Sequence, residues 1–220
     1  MKILNLKNLK KKHLPEGFKA RVINEHPYIV KINNLLTDEE IEEILDLAKG
    51  NFQKSNIVVD GKLVYNDAQR NSSTAYLFED GLPNKYSKRI EKIIKRICYL
   101  LSCERNYLEI MAVRYRKGEY FGSHVDYFED HEINKLDSAG QRIATFFVYL
   151  NTLQKEDGGE TEFTKLGIKS RPKKGDAIFF LNQDSETGEM LPKTEHQGNP
   201  VLTDTVKIGV NIWARSNSFY

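Results

Sequence analysis

The sequence places a histidine and an aspartate two residues apart, at His124 and Asp126. In a β-strand, side chains at positions i and i+2 project from the same face, so this imidazole and this carboxylate would point into one cavity. His196 lies in a strand-like stretch, Thr194 to Gly198, and is the best candidate for a third ligand. Two histidines and a carboxylate can hold iron(II) on one side and leave the other side open for reactants. The spacing alone does not establish such a site, since short matches arise by chance and a zinc hydrolase could use the same ligands.

A lysine of chemical interest, Lys207, follows His196 by eleven residues. The stretch from Val206 to Trp213 has the composition of a strand, and one face of it would carry Lys207, Gly209, Asn211 and Trp213. If that face points to the protein interior, Lys207 is a buried cation, which is costly unless an anion pairs with it. A carboxylate of 2-oxoglutarate would be such an anion. If the face points outward, Lys207 is a solvent-exposed lysine, and the spacing alone does not decide between the two.

The second half of the chain contains the strands that must position these residues. Its apolar segments are rich in β-branched and aromatic residues, and turn residues such as Gly158-Gly159 and Lys174-Gly175 separate them. This pattern predicts an antiparallel sandwich or jelly roll backed by helices on one face. The predicted strands are Leu108 to Tyr115, Arg142 to Leu150, Glu160 to Thr164, Ala177 to Leu181 and Val206 to Trp213.

The first half of the chain is predicted to be mainly helical. Residues 1–20 form a basic, weakly ordered lead-in, and Tyr28 to Ile32 form a short strand. Thr37 and Glu40 have the spacing of a capping box and begin a helix that Gly50 can close. A second helix is predicted from near Pro83 to Leu101, because isoleucines recur there at three- and four-residue steps.

The composition describes one globular protein. The chain has 220 residues, of which 40% are hydrophobic and 29% charged, and its formal net charge of +2 gives no reason to expect nucleic acid or an anionic membrane as partner. The N-terminal segment lacks the apolar core and cleavage site of a signal peptide, and no window is apolar enough to span a membrane. Cys98 and Cys103 lie in an apolar helical stretch and are expected to be reduced thiols. The expected location is therefore intracellular and cytoplasmic.

Several blocks of the sequence resemble the prolyl 4-hydroxylase family of 2-oxoglutarate dioxygenases. Together they cover roughly residues 108–215, and Arg70 to Ser73 is a weaker match upstream of them. The blocks are Val113 to Phe128 with His124-Val125-Asp126-Tyr127-Phe128, Gln141 to Asn151, Gly158 to Phe163, Pro172 to Phe180, and His196 with Gly198, Pro200-Val201, Lys207 and Trp213.

This resemblance implies an α+β fold with a double-stranded β-helix (jelly-roll) core and supporting N-terminal helices. One dioxygenase domain would span residues 21–220, with helical support in about 21–105 and the catalytic core in about 106–220. His124, Asp126 and His196 would bind iron(II). Lys207 would bind the distal carboxylate of 2-oxoglutarate, Tyr115 would hydrogen-bond to the same co-substrate, and Thr161 would line its pocket.

The resemblance also implies hydroxylation of a peptidyl proline to 4-hydroxyproline, with O2 as oxidant, ascorbate as reductant and release of succinate and CO2. Arg142, Trp213 and Tyr127 would lie on the substrate side. From the residues alone, Trp213 could instead pack in the core, Arg142 could be a surface cation, and Tyr127 could pack beside the metal. A proline-rich peptide would dock in an aromatic groove. Tyr76 and Tyr120 are further candidates for that groove.

Other functions remain open at this point. The same scaffold could hydroxylate another residue such as lysine, or it could bind peptides without catalysis. A nucleic-acid demethylase is disfavoured by the near-neutral charge, and a zinc hydrolase would not need Lys207 or Tyr115. Lys207 lies one residue further from His196 than in some family members, so the loop at Thr203 to Thr205 is expected to bulge. Residues 128–140 are polar and could form a mobile or a static loop over the site.

Overall fold

Two antiparallel sheets dominate the computed structural model, which describes residues 14–77, 87–136 and 139–219. Three short 3-10 turns lie at Arg105–Tyr107, Lys155–Asp157 and Pro192–Thr194. The helices and strands in chain order are β1 Lys19–Asn24, β2 Ile29–Asn33, α1 Asp38–Ala48, β3 Gln53–Lys54, β4 Ile57–Val59, β5 Lys62–Val64, β6 Ser73–Tyr76, α2 Lys88–Leu101, β7 Leu108–Tyr115, β8 Phe121–His124, α3 Asp130–Leu136, β9 Arg142–Tyr149, β10 Thr161–Phe163, β11 Ile168–Ser170, β12 Ala177–Leu181, β13 His196–Gly198 and β14 Lys207–Arg215.

The larger sheet has the order β1-β2-β12-β9-β14-β7-β6-β3, and the smaller sheet has the order β11-β10-β13-β8. Strands β4 and β5 form a separate hairpin. Each of these strand pairings is antiparallel. The prediction of antiparallel strands with a few helices is therefore confirmed.

The larger sheet is buried on both faces, and alternating side chains belong to two separate cores. In β9, Phe146 and Val148 pack with the helices, while Phe147 and Tyr149 pack toward the smaller sheet. Helices α1 and α2 cover the first core and contribute isoleucines and leucines to it. Phe163 of β10 belongs to the second core. Residues of the two sheets can therefore meet in the space between the sheets, on the face of the large sheet opposite the helices.

The predicted start of α1 is confirmed. The Thr37 hydroxyl accepts a hydrogen bond from the Glu40 backbone N–H at 3.3 Å, and the Glu40 carboxylate accepts one from the Thr37 N–H at 3.0 Å. Two capped N–H groups at the first turn explain why the helix begins there. Helix α1 ends at Ala48, and Gly50 follows with a φ of +81°.

Some predicted boundaries differ from the structure. Helix α2 is capped by Ser87 and begins at Lys88, while Pro83 lies outside the described residues. Strand β1 already begins at Lys19, within the predicted lead-in, of which residues 1–13 lie outside the described part. Strand β13 begins only at His196, because Thr194, the first residue of the predicted strand, belongs to the preceding 3-10 turn. The predicted loop at 128–140 contains the short helix α3.

Among the helices that the structure describes, none is both long enough and apolar enough to cross a bilayer.

Candidate functional site

Three candidate metal ligands lie at the ends of two neighbouring strands. His124 ends β8 and is directly paired across the small sheet with His196, the first residue of β13. Asp126 lies two residues after β8 and turns back toward both histidines. Nε2 of His124 is 3.7 Å from Oδ1 of Asp126, and Nε2 of His196 is 3.9 Å from Oδ2 of Asp126. One ligand atom from each residue lies within 4.8 Å of the others.

The local geometry of Asp126 corrects the prediction from strand periodicity. Strand β8 stops at His124, so Asp126 lies in a bend and does not share a strand face with it. The hydroxyl of Thr145 in β9 donates a hydrogen bond of 2.8 Å to the Asp126 carboxylate. Asn182 in turn donates to the Thr145 hydroxyl at 3.0 Å. The carboxylate therefore reaches the histidines because a residue from the other sheet holds it there.

Both histidines are oriented for metal binding by their backbone contacts. Nδ1 of His124 lies 2.8 Å from the Gly122 carbonyl oxygen, and Nδ1 of His196 lies 2.9 Å from the Thr194 carbonyl oxygen. Because a carbonyl oxygen only accepts, each Nδ1 carries the proton and each Nε2 presents a lone pair. Burial, followed by the effect of His196, lowers the pKa of His124 to about 3, so that its ring is neutral at pH 7.

The carboxylate completes a set of donors that fits iron(II). Although burial opposes ionisation, His196 and His124 hold the pKa of Asp126 below its ordinary value. Two neutral imidazole nitrogens and one carboxylate on a single side are the ligands of non-haem iron(II) oxygenases. The cluster therefore offers the types of ligand that the spacing predicted, close to one another.

A narrow pocket connects this cluster to Lys207. The pocket is lined at one end by His124, Asp126 and His196, and at the other by Tyr115, Thr161 and Lys207. Lys207 is the first residue of β14 and is paired directly with Tyr115 at the end of β7. Only 1% of Lys207 and 4% of Tyr115 is exposed. The odd-numbered face of β14 thus points inward, which removes the alternative of a solvent-facing lysine.

The environment of the Lys207 ammonium suits the binding of an anion. In the described part of the chain no carboxylate lies within 4.0 Å of its Nζ, which instead lies 5.0 Å from the ring centre of Tyr115 and 5.1 Å from that of Phe147. Burial lowers the pKa of Lys207 to about 7, and the more distant Glu160 opposes this shift. A buried cation without a carboxylate is costly, so a bound dicarboxylate fits this end of the pocket.

The amino-acid sequence and the fold both match known proteins. Residues 110–215 match the model of the 2OG-Fe(II) oxygenase superfamily. Prolyl 4-hydroxylase 5 of Arabidopsis thaliana is 29% identical over 221 residues, which cover 91% of this chain and 71% of the relative. The solved structure of the viral collagen prolyl hydroxylase of Paramecium Bursaria Chlorella virus-1, as its 2OG complex, matches with a TM-score of 0.64 and 30% identity over 88% of this chain and 98% of that one.

The chain belongs to the prolyl 4-hydroxylase family.

Membership of this family confirms the resemblance and makes the chain a 2-oxoglutarate- and iron(II)-dependent dioxygenase. Family members differ in length. Prolyl 4-hydroxylase subunit alpha-2 of Gallus gallus is 31% identical over 89% of this chain, but the match covers only 36% of that subunit.

In this prolyl 4-hydroxylase family member, a large cleft opens beside the metal ligands. Its volume is about 1040 Å³, and it shares His124 and Asp126 with the narrow pocket. The three residues predicted on the substrate side, Arg142, Trp213 and Tyr127, all line the cleft. Tyr76 lines it too, whereas Tyr120 is not among its lining residues and donates its hydroxyl to the Ala68 carbonyl at 2.9 Å.

Arg142 is held rigidly at the wall of the cleft. Its guanidinium lies over the Trp213 ring at 3.6 Å from the ring centre and over the Phe128 ring at 4.6 Å. Its Nε and Nη2 atoms donate to the carboxylate of Glu109, which also accepts from Arg215 at 2.6 Å. These contacts exclude the surface-cation interpretation of Arg142. Trp213 is 4% exposed, and it both packs in the second core and lines the cleft.

Glu109 is a site residue that the sequence did not reveal. Burial would raise the pKa of Glu109, but Arg142 and then Arg215 outweigh it and hold the pKa below its ordinary value. The Glu109 carboxylate therefore stays ionised and balances the charges of Arg142 and Arg215. The sequence does carry a signal, since Glu109 and Arg114 are the two charged residues in a strand of otherwise apolar and aromatic residues.

The position of Arg70 gives a structural reason for the weaker family resemblance of the segment from Arg70 to Ser73. Its guanidinium donates to the Ser72 and Thr74 hydroxyls and lies 4.5 Å from the centre of the Phe121 ring. The Phe121 ring in turn stacks on His124, with 3.5 Å between ring centres. Arg70 thus supports the candidate ligand His124 through the Phe121 ring.

Tyr149 and Gly159 shape the pocket around predicted residues. The Tyr149 hydroxyl donates to Thr161 Oγ1 at 3.0 Å, which fixes the rotamer of Thr161. Gly159 has a φ of +70°, and a Cβ there would lie 2.7 Å from Leu153 Cδ1 and 3.5 Å from Lys207 Cδ. Glycine is required here because its φ is left-handed and because a Cβ would clash with Leu153.

Proposed function

We propose that this protein hydroxylates proline residues of a peptide at carbon 4, consuming 2-oxoglutarate and O2 and releasing succinate and CO2. The observation that supports this most strongly is that one pocket joins a His–Asp–His cluster to a buried lysine that forms no ion pair within the described part of the chain. The cluster suits iron(II), and the lysine suits the far carboxylate of the co-substrate. A zinc hydrolase would use the cluster but would gain nothing from the lysine.

Each predicted site residue has a proposed role. His124, Asp126 and His196 hold iron(II), which together with the bound co-substrate and O2 supplies the oxidising power that inserts oxygen into a C–H bond. Lys207 pairs with the distal carboxylate of 2-oxoglutarate, Tyr115 donates a hydrogen bond to that co-substrate, and Thr161 lines its pocket. Ascorbate serves as an external reductant that keeps the iron in its ferrous state.

The cleft is proposed to bind a proline-containing peptide. An extended proline-rich segment loses little conformational entropy when it docks against aromatic side chains. Trp213, Tyr127 and Tyr76 provide that surface close to the metal ligands. Glu109 accepts from Nε and Nη2 of Arg142, and no described residue accepts from Nη1, so we propose that Nη1 donates to a peptide carbonyl oxygen. The target carbon would thereby be held beside the iron.

The two sheets are proposed to form a double-stranded β-helix core. The eight-stranded and four-stranded sheets enclose the second core, and the ligands lie where the smaller sheet faces the larger one. We propose one dioxygenase domain over residues 21–220, with helical support in about 21–105 and the catalytic core in about 106–220. An intracellular, reducing location is part of the same proposal, and the two free cysteines are compatible with it.

A direct assay tests the proposed activity. The purified protein is incubated with Fe(II), ascorbate, labelled 2-oxoglutarate and a proline-rich peptide, and succinate and peptide mass are followed. Peptide-dependent succinate together with a gain of about 16 Da on proline is expected, since one oxygen atom is inserted. A matched peptide with alanine in place of proline is the control. Oxidation of a lysine-containing peptide instead would favour the alternative hydroxylase, and peptide binding without succinate would favour a non-catalytic module.

Replacing Thr145 by valine should weaken metal binding and leave the fold intact. Valine keeps the shape of threonine but removes the hydroxyl that orients Asp126. Loss of such an orienting hydrogen bond typically costs roughly 10–100-fold in metal affinity. The measurement is Fe(II) or Mn(II) affinity by competition with a chelator. Thr164→Val, which removes a hydroxyl hydrogen-bonded to Glu195, is the matched control. Equal metal affinity in Thr145→Val and the wild type would show that the bend after β8 holds Asp126 unaided.

Replacing Glu109 by glutamine should impair peptide binding selectively. The neutral amide cannot accept from Arg142 and Arg215 as a carboxylate does, so Arg142 loses its fixed orientation. We expect the KM for peptide to rise roughly tenfold, equivalent to about 1.4 kcal/mol, while the KM for 2-oxoglutarate is unchanged. Glu43→Gln, which alters the surface pair with Arg89, is the control. An equal rise in both KM values would indicate general damage to the site.

A further inference from the structure

The end of helix α2 brings the two cysteines of the chain together. Ser102 follows the helix with left-handed angles, φ 51° and ψ 43°, and the Cys103 backbone N–H donates to the Cys98 carbonyl oxygen at 3.1 Å. A left-handed residue followed by this six-residue hydrogen bond is the Schellman type of helix end. In that motif the side chains of the first and last residues of the bond contact each other. Here those residues are Cys98 and Cys103.

The two thiols are in contact, free and partly accessible. They form a hydrogen bond with each other, both are unbridged, and both lie half-buried at the edge of the core between the helices and the large sheet. Neither lines the narrow pocket or the cleft. We propose that Cys98 and Cys103 form a redox-active thiol pair that closes to a reversible disulfide when the protein meets a peroxide.

The environments of the two sulfurs assign them different roles. The hydrogen bond from the Cys103 thiol lowers the pKa of Cys98, burial opposes this, and the positive charge of Arg105 supports it. The same hydrogen bond, together with burial, raises the pKa of Cys103. The thiolate is the nucleophile in cysteine chemistry. Cys98 is therefore the attacking cysteine, and Cys103 is the resolving one.

The reaction balances with hydrogen peroxide as the oxidant. The Cys98 thiolate attacks one peroxide oxygen, the O–O bond breaks, and hydroxide leaves and takes up a proton to become water. Cys98 is then a sulfenic acid. The Cys103 sulfur attacks the Cys98 sulfur, the S–O bond breaks, and the oxygen leaves as a second water with the proton of Cys103. The two sulfurs lose two electrons in total, and a dithiol reductant restores both thiols by exchange.

The bridge would tie the last turn of α2 to the segment that leads into β7. Because the two cysteines are only five positions apart, the closed loop is short and adds little stability through chain entropy. The melting temperature is therefore a poor readout of this bridge. The state of the sulfurs has to be measured directly.

The test uses the metal-free full-length protein, in which dioxygenase turnover cannot occur. The protein is treated with one equivalent of hydrogen peroxide and analysed by intact mass and by alkylation of free thiols. We expect a loss of about 2 Da, protection of both cysteines, and full recovery with dithiothreitol. Two alkylatable thiols after peroxide treatment would overturn the proposal, and so would disulfide-linked dimers in place of the intramolecular bridge. Because no turnover is measured, the outcome is independent of the proposed hydroxylase activity.

Two single variants test the assigned roles. In Cys103→Ser, Cys98 should accumulate as a sulfenic acid that dimedone traps, because the resolving thiol is absent. In Cys98→Ser, Cys103 should stay alkylatable over the same period. Thermal melts of both variants establish that they fold. If Cys103 in Cys98→Ser oxidises as fast as the wild-type pair, the contact at the end of α2 does not activate either thiol and the proposal is wrong.

Discussion

Replacing Lys207 by methionine should give a more stable protein that has lost most of its affinity for 2-oxoglutarate. Lys207 is 1% exposed, and no carboxylate of the described chain lies within 4.0 Å of its ammonium. Methionine has a similar length and needs no counter-charge, so it removes the desolvation cost. Exchange of a buried charge for an apolar side chain often stabilises by about 1–4 kcal/mol. For a domain of this size, about 1 kcal/mol raises the Tm by roughly 2–4 °C.

The loss of affinity should be large because the partner carboxylate would then be buried alone. Breaking a buried ion pair by removing one partner costs about 3–5 kcal/mol, which corresponds to a roughly 100- to 4000-fold higher Kd. Calorimetry with 2-oxoglutarate under argon measures this change, and thermal melts without co-substrate measure the stability. Lys169→Met, which removes a lysine that is 56% exposed at its side chain, is the matched control. A lower Tm together with an unchanged Kd would show that Lys207 supports the fold and does not bind the co-substrate.

The same lysine should make co-substrate binding depend on pH. Burial depresses the pKa of Lys207 to about 7 in the free pocket, and the charged form is the one that pairs with a carboxylate. The favourable charge is therefore fully present below about pH 7 and is lost as the pH rises above it. We expect the Kd to rise about tenfold per pH unit above 7 until the pKa of the bound state is passed. Binding at pH 8 should take up close to one proton, which calorimetry in buffers of different ionisation enthalpy detects. A constant Kd from pH 7 to 9 would contradict this assignment.

Local sequence patterns identified candidate site residues, but they did not predict the contacts that hold those residues in place. The alternation along β14 placed Lys207 and Trp213 on one inner face, because a strand buried on both sides must divide its residues between two cores. The same two-residue rule paired His124 with Asp126, and the structure does bring them together, but not through a shared strand face. Strand β8 ends at His124, and the position of Asp126 depends on Thr145 from a distant strand. Periodicity describes one strand and contains no information on such a contact.

Charge pairs between residues far apart in the sequence could not be predicted for the same reason. Glu109 and Arg215 are 106 residues apart and meet only because β7 and β14 are neighbours in the large sheet. The helix start at Thr37 was predictable, since the capping residues lie within one turn of each other. The start of α2 was not, because isoleucine spacing marks the buried face of a helix but not its first residue. Local rules thus predicted several elements and the candidate ligands, while the supporting contacts became visible only in the fold.

Replacing Asp126 by alanine should abolish turnover through loss of the metal. Asp126 supplies the carboxylate ligand, and its oxygens lie 3.7 and 3.9 Å from the Nε2 atoms of the two histidines. Removing an outer partner of a ligand costs roughly 10–100-fold, so removal of the ligand itself should exceed that range. Metal content after dialysis against iron and peptide-dependent succinate formation are the measurements. Asp204→Ala, which removes an exposed carboxylate that pairs with Lys117, is the matched control.

Peptide binding separates metal loss from a damaged fold in the same variant. Arg142 keeps its contacts with Glu109 and Trp213 when Asp126 is removed, so the cleft should bind a proline-rich peptide with a Kd within a few-fold of the wild type. A variant that binds peptide but holds no iron and forms no succinate would place Asp126 in the metal site alone. Near-normal turnover in Asp126→Ala would mean that two histidines suffice, and the proposed iron site would be wrong. Loss of peptide binding together with the metal would instead show that Asp126 organises the cleft through Thr145 and the residues around it.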